Sequence, residues 1–292
     1  MPSGIALGVA TAVSWGSADF LARFATRSLG SVRAVFWMQA LGAVFVTLLL
    51  LFAHDWGHLF DGSGWQPWAW GILAGAINTF AMLALYRAFE VGKLSLVGPV
   101  SASYPGLTVI LSLLSGEHLS LLRAAGIVAA LIGVLLVATG EKSPSLLDPL
   151  QKSRGVRGLA WAVAAALSFG VLFWLLGVRV IPHSGALASV WLIRVSGSVF
   201  TWFVALAAKL PLRLKNRQTL GQVYGMGFLD TAAFVLSNLG MRFEQVAIIS
   251  VLGSLYGAVT VALAMFFLRE RIAVRQWIGI ASIFLGVDLM DA

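Results

Sequence analysis

Residues 140–157 read GEKSPSLLDPLQKSRGVR, the one conspicuous polar run in a chain of 292 residues. On both sides of it the sequence turns apolar for long stretches. No charged residue occurs between Arg33 and Asp55, Lys93 and Glu117, Arg157 and Arg179, or Glu244 and Arg269. A bilayer core of about 30 Å accepts about 20 apolar residues as one helix, so each stretch is long enough to cross once. Reading every apolar run against that length predicts helices near 4–24, 32–53, 65–87, 94–115, 121–140, 157–178, 184–208, 222–242, 246–268 and 273–290. The polar run divides them five and five.

Composition agrees with a membrane as solvent. The chain is 59% hydrophobic and 11% charged, with mean hydropathy +0.91, where a soluble domain carries about 25% charged residues. The net charge of +8 does not imply nucleic acid, because Lys and Arg gather in the short connections, where they report orientation. There is no cysteine and only four scattered histidines, so thiolate chemistry and metal-ligand spacing are missing. HExxH, GxSxG and GxxxxGK[ST] patterns are absent too, and with them the usual marks of an enzyme. No cofactor is expected. The first residues, Met-Pro-Ser-Gly, lack the basic region of a cleavable signal, so the first helix is expected to stay in the mature protein.

The midpoint division invites a search for duplication. An offset of 154 pairs Gly4 with Gly158, Ser14 with Ser168, Gly16 with Gly170, Trp37 with Trp191 and Gly71 with Gly225. An offset of 153 pairs Glu117 with Glu270, Gly126 with Gly279 and Gly133 with Gly286. Matches among Gly and Ala come easily by chance; Trp and Glu pairs near one offset do not. Five spans per copy is an odd number, so two copies joined by a short linker insert in opposite senses, as alternating-access transporters do. The expected fold is an all-α membrane protein with ten transmembrane helices in two inverted five-helix repeats, 1–140 and 157–292, joined by a linker at 141–156.

The first helix contains Trp15-Gly16-Ser17-Ala18-Asp19-Phe20-Leu21-Ala22-Arg23, and each half has an apolar helix ending in glutamate before a glycine-spaced helix. Those are Gly116-Glu117-His118 before Gly126 and Gly133, and Arg269-Glu270-Arg271 before Gly279 and Gly286. In these features the chain resembles the EamA-type members of the drug/metabolite transporter superfamily. It departs from their pattern where Phe169 replaces the second-half tryptophan and where no second-half proline matches Pro105. The resemblance implies a carrier with a central cavity in a bacterial cytoplasmic membrane, exporting an amino acid, a drug or another metabolite, with an amino acid the first expectation. A multidrug exporter, a channel, and a scaffold or receptor remain the alternatives. The expected partners are a small-molecule substrate and the lipid bilayer, with no nucleic acid, and a monomer suffices.

Ionisable groups inside the spans carry the rest of the reading, since each costs about 2.5–3.5 kcal/mol at bilayer depth on insertion scales and needs a partner or a purpose. Asp19 and Arg23 share a helix face at i,i+4 spacing, as an ion pair or as a site for substrate or a coupling proton. Arg194 and Asp230 lie deep enough to pair with each other or to receive a carboxylate and an amine, and Asp230 is a second candidate for proton coupling. Asp288, near the chain end, is expected at an interface. The cavity is expected to be bordered by Trp15, Asn78, Tyr104, Ser168, Arg194, Asp230 and Tyr256. Pro99 and Pro105 in the fourth span, and Gly253 and Gly257 in the ninth, are expected to loosen corresponding helices, or to pack closely. Sixteen Lys and Arg residues fall on the side of the 140–157 run, against Arg123, Arg179 and Arg242 on the other. By the positive-inside rule the linker is cytoplasmic and both termini lie outside.

Overall fold

The computed structural model describes residues 4–91, 100–138, 149–214, 217–268 and 274–291, and every regular element among them is helical. In chain order these are α1 (Gly4–Leu29), α2 (Ser31–Ala53), α3 (Gln66–Val91), α4 (Tyr104–Leu114), α5 (Leu121–Ala138) and α6 (Pro149–Leu175). α6 continues through a π-helical turn (Leu176–Val180) and a last short turn (Ile181–Ser184). Then follow α7 (Ala186–Ala207), α8 (Arg217–Gly240), α9 (Val246–Ser254), α10 (Tyr256–Leu268) and α11 (Val274–Asp291). Gly4–Thr26, Ser31–Ala53, Gln66–Ala88, Gly158–Ser184 and Ala186–Ala207 are each long and apolar enough to cross a bilayer alone. Tyr104–Leu114, Leu121–Leu136 and Val246–Val259 are apolar but shorter.

Helix packing is symmetric under exchange of the halves. The first helix of each half lies on the third of the other, α1 on α8 and α6 on α3. The second helices pair, α2 with α7; so do the fourth, α4 with α9, and the fifth, α5 with α11. Local detail repeats as well. Gly30 (φ 81°) and Gly185 (φ 89°) each turn the chain from the first helix of a half into the second, in a backbone region that a side chain would strain. Trp37 Nε1 donates to the Leu212 carbonyl (2.8 Å), and Trp191 Nε1 donates to Thr47 Oγ1 (2.9 Å), each indole reaching into the opposite half. The fifth helices touch almost backbone to backbone: a Cβ on Gly133 would lie 2.6 Å from the Gly279 carbonyl, and one on Gly286 would lie 2.6 Å from that of Gly126.

The fourth and ninth spans are both broken at their middles. In the fourth, Val100 and Ser101 are helical, Ala102 and Ser103 form a turn, and α4 restarts at Tyr104 with Pro105 in its first turn. Pro105 thus opens a helix, where its missing N–H is harmless, instead of bending one. In the ninth, Leu255 interrupts the helix and α10 restarts at Tyr256. The glycine pairs divide: Gly4, Gly8, Gly71 and Gly75 abut Glu244, Leu252, Leu192 and Ser196, whereas Gly221 and Gly257 have nothing within 4 Å among the described residues. Gly253 faces Trp15.

The sixth helix starts ahead of the expected 157: α6 begins at Pro149, inside the 141–156 linker. Proline is favoured at a first helical position, and the polar residues after it are adequate helix formers that need no bilayer. Residues 141–148, Lys93, Pro99, Arg269, Glu270 and Arg271 lie outside the described residues, as do the side chains of Arg23 and Arg27.

At the end of the molecule carrying the α4–α5 and α8–α9 connections, the halves are clamped by polar contacts. Arg123 Nη1 pairs with Glu244 Oε1 at 2.9 Å. The Glu117 carboxylate accepts the backbone N–H groups of Val246 (2.9 Å) and Ala247 (3.2 Å), and Gln245 Nε2 donates to the His118 carbonyl (2.6 Å). Glu117 thereby caps α9 from the other half, placing negative charge on the positive end of a helix.

Candidate functional site

Where the two broken spans meet α1, α3, α6 and α8 lies a small cavity, partly open to solvent. Its walls are Trp15 and Asp19 from α1, Met82 and Leu85 from α3, Tyr104 from α4, Phe169 and Phe173 from α6, Asp230 and Phe234 from α8, and Tyr256 from α10. Each tyrosine is the first residue after its helix break and reaches the opposite broken span. Tyr104 Oη donates to the Ser250 carbonyl at 3.1 Å, and Tyr256 is hydrogen-bonded to the side chain of Ser101. The rings form a connected wall: Trp15 meets Phe173 (5.4 Å) and Phe234 (5.3 Å) edge-on, while Phe173 stacks on Tyr104 (5.1 Å) and Phe234 (6.1 Å). Helical spacing builds the wall, with Asp19 one turn after Trp15, Phe173 one turn after Phe169, and Phe234 one turn after Asp230.

Behind Phe234 lies a charge with no exposed surface. Arg194 of α7 is fully buried; Nη2 pairs with Asp230 Oδ2, Nη1 donates to Gln39 Oε1 at 2.8 Å, and its guanidinium carbon sits 4.8 Å from the centre of the Phe234 ring. Asp230 therefore has two neighbours, the arginine on one side and the cavity on the other. Asp19 is partly exposed to the cavity and forms no salt bridge among the described residues.

Of the residues expected to border a cavity, Trp15, Tyr104, Asp230 and Tyr256 come together there, and Asp19 joins them. Arg194 does not line it, because Asp230, Gln39 and Phe234 hold it behind the wall. Asn78 is buried in α3, its amide without a partner among the described residues. Ser168 turns back on its own helix, donating to the Ala164 carbonyl (2.8 Å), as Thr and Ser do in apolar surroundings. Asp288 is exposed. The sequence reading did not pick out Phe173, Phe234, Met82 or Leu85. One of these was within reach: Phe173 stands 154 residues after Asp19, as Phe169 stands after Trp15, so the repeat offset alone maps one wall of the cavity onto the other.

Fold and site together define an all-helical integral membrane protein built of two like halves around a central, partly polar cavity. Residues 2–139 and 156–290 each match the EamA-like transporter family, and the chain belongs to that family, within the drug/metabolite transporter superfamily. Membership sets it among transporters. An uncharacterized protein of Methanocaldococcus jannaschii is 28% identical over 139 residues, which make up 98% of that protein but only 47% of this chain. A solved crystal structure has the same fold, with a TM-score of 0.79 at 18% identity over 98% of this chain and 95% of the other.

Proposed function

We propose that the chain is a secondary carrier that exports a small amphipathic metabolite by alternating access, crossing the bacterial cytoplasmic membrane ten times in two oppositely oriented repeats. The observation that carries the proposal is the pair of equivalent helix breaks, at Ser103–Tyr104 and at Leu255, facing one cavity lined from both halves. A bilayer tolerates interrupted helices only where protein or a water-filled site covers the freed backbone groups, and carriers put their substrates at such places. A constant pore has no use for two matched interruptions. A zwitterionic amino acid with an aromatic side chain fits the ring-lined wall and is the substrate that the family resemblance implies. A multidrug role is favoured by one observation, two carboxylates on the cavity wall and no basic residue among the described residues that line it.

Asp19 is the better proton carrier of the two acidic residues, because Asp230 is held by Arg194. Among the described residues, the charged and titratable groups coupled to Asp19 are Asp230, Tyr86 and Tyr256. Counterflow in proteoliposomes containing the full chain and an amino-acid mixture tests the carrier: saturable exchange is expected, and non-saturable flux would make the protein a channel. Asp19→Asn keeps the side chain's shape without its charge and should flatten the pH dependence of exchange; an unchanged profile leaves facilitated diffusion.

A further inference from the structure

We infer that the connection between α7 and α8 is a docking strip for anionic phospholipid, with Lys209, Arg213 and Arg217 on the headgroup phosphate and the exposed face of α8 along the acyl chains. The strip needs a bilayer and makes no use of the cavity. Residues 209–217 read KLPLRLKNR, four Lys and Arg in nine, and no Asp or Glu occurs between Arg179 and Asp230. Leu212 and Leu214 are half-buried, Leu214 against the main apolar core, while Pro211 and Arg213 between and beside them are exposed. Trp37 Nε1 pins this alternation at the Leu212 carbonyl (2.8 Å), and Lys209 and Arg217 at its two ends are exposed as well.

The sign of the charge is particular to this loop. At the repeat offset of 154, Lys209 answers to Asp55 and Lys215 to Asp61, and no Lys or Arg occurs between Arg33 and Arg87. The loop after α2 is nonetheless braced in the same way, by Trp191 against Trp56 (5.8 Å) and Trp68 (6.1 Å), as Trp37 braces the basic one. α2 separates the two loops, holding one near its start and leading into the other after Ala53. One architecture thus presents cations at one end and carboxylates at the other. Basic segments beside a span attract anionic headgroups, each Lys or Arg adding to the affinity.

Apolar surface continues from the strip in the direction that acyl chains take. Arg217, Leu220, Tyr224 and Phe228 share one face of α8, and all four are exposed. Phe45 of α2 widens that face, its ring lying 6.4 Å from Tyr224 and 5.5 Å from Phe228. A free phosphate would use only the basic end; a phospholipid uses both.

Native mass spectrometry tests the strip on the purified full chain, released from uncharged detergent holding equal amounts of phosphatidylglycerol and phosphatidylcholine with the same acyl chains. The anionic lipid is expected to be retained about tenfold over the neutral one. Lys209→Gln with Arg213→Gln and Arg217→Gln should abolish that preference. Removing as many charges from the linker, Lys142→Gln with Lys152→Gln and Arg154→Gln, should leave most of it, with unchanged size-exclusion profiles showing that both variants fold. Glycerol phosphate, a headgroup without chains, should not displace the lipid at equal concentration. Equal retention of the two lipids, equal losses in the two variants, displacement by glycerol phosphate, or a mass of two chains with no lipid retained overturns the inference, the last by giving the surface to a second copy. Saturable counterflow is a separate readout: its absence sinks the carrier and leaves the strip, and its presence with no lipid preference does the reverse.

Discussion

Arg194 and Asp230 form a buried pair whose value lies in staying complete. Removing one partner strands the other charge, at a cost of about 3–5 kcal/mol, whereas replacing both with apolar residues of similar volume is often neutral. Asp230→Ala is therefore expected to lower the thermal stability of the detergent-solubilised chain severely, and Arg194→Met with Asp230→Leu to recover most of it. A double variant no more stable than the single one would mean that the pair does more than neutralise itself. Outside the spans, Glu90 offers a contrast. Burial works against its charge, yet hydrogen bonds from Arg87 (2.9 Å) and the Ser31 N–H (2.9 Å) outweigh that and hold its carboxyl below the ordinary 4.5. Because its folded value is depressed, its contribution to stability is present above the ordinary carboxylate range and is lost as pH falls through the lowered value. Glu90→Gln should remove that part of the acid sensitivity, read as thermal stability against pH below 4.5. Sequence reading located Arg194 and Asp230 as deep charges but left their use open, since facing direction depends on how α7 and α8 rotate against α2, and no span's own pattern records that.

At the scale of the helix, Glu117 caps α9 across the two halves. Loss of such a cap costs about 0.5–2 kcal/mol, so Glu117→Ala should raise hydrogen exchange at Val246 and Ala247 without disturbing α1. Exchange unchanged at those two amides would show that the carboxylate is dispensable there. Gly253 is where α9 passes Trp15: a Cβ would lie 2.9 Å from the indole and 3.4 Å from Tyr104 Oη. Gly253→Ala should push the indole into the cavity, cost about 1–3 kcal/mol by overpacking, and lower transport; retained transport with native stability would mean that the indole has room to retreat. The helices were legible from charge-free length, and their breaks only partly so. Pro105 marked the first break; the second falls at Leu255, between Gly253 and Gly257, which mark a loose stretch without fixing the residue at which the helix stops.

For the whole molecule, Lys and Arg placement leads to one expectation of sidedness, with the 140–157 segment cytoplasmic and both termini outside. Terminal fusions to a phosphatase active only outside the cytoplasm should be active; a dark phosphatase with a bright cytoplasmic fluorescent fusion reverses the assignment. Duplication was legible because Trp37/Trp191 and Glu117/Glu270 are rare residues at nearly one spacing. The cavity was legible in its polar and tyrosine members but not in its phenylalanines, which in a chain with eighteen of them stand out only once the fold selects those facing inward.

Asp19 and Phe173 occupy the same place in the two halves, and both reach the cavity. In a carrier whose halves were identical, exchanging them would turn one end state into the other, and the two would be degenerate, with equal dwell times when empty. One carboxylate opposite one phenyl ring lifts that degeneracy, since an ionisable group gains from hydration in whichever state wets α1 and a phenyl ring does not. A carrier of this kind would have a preferred resting side when empty. Replacing Phe173 with Asp would bring the two dwell times closer together, visible as a more even split in accessibility labelling from the two faces of the membrane.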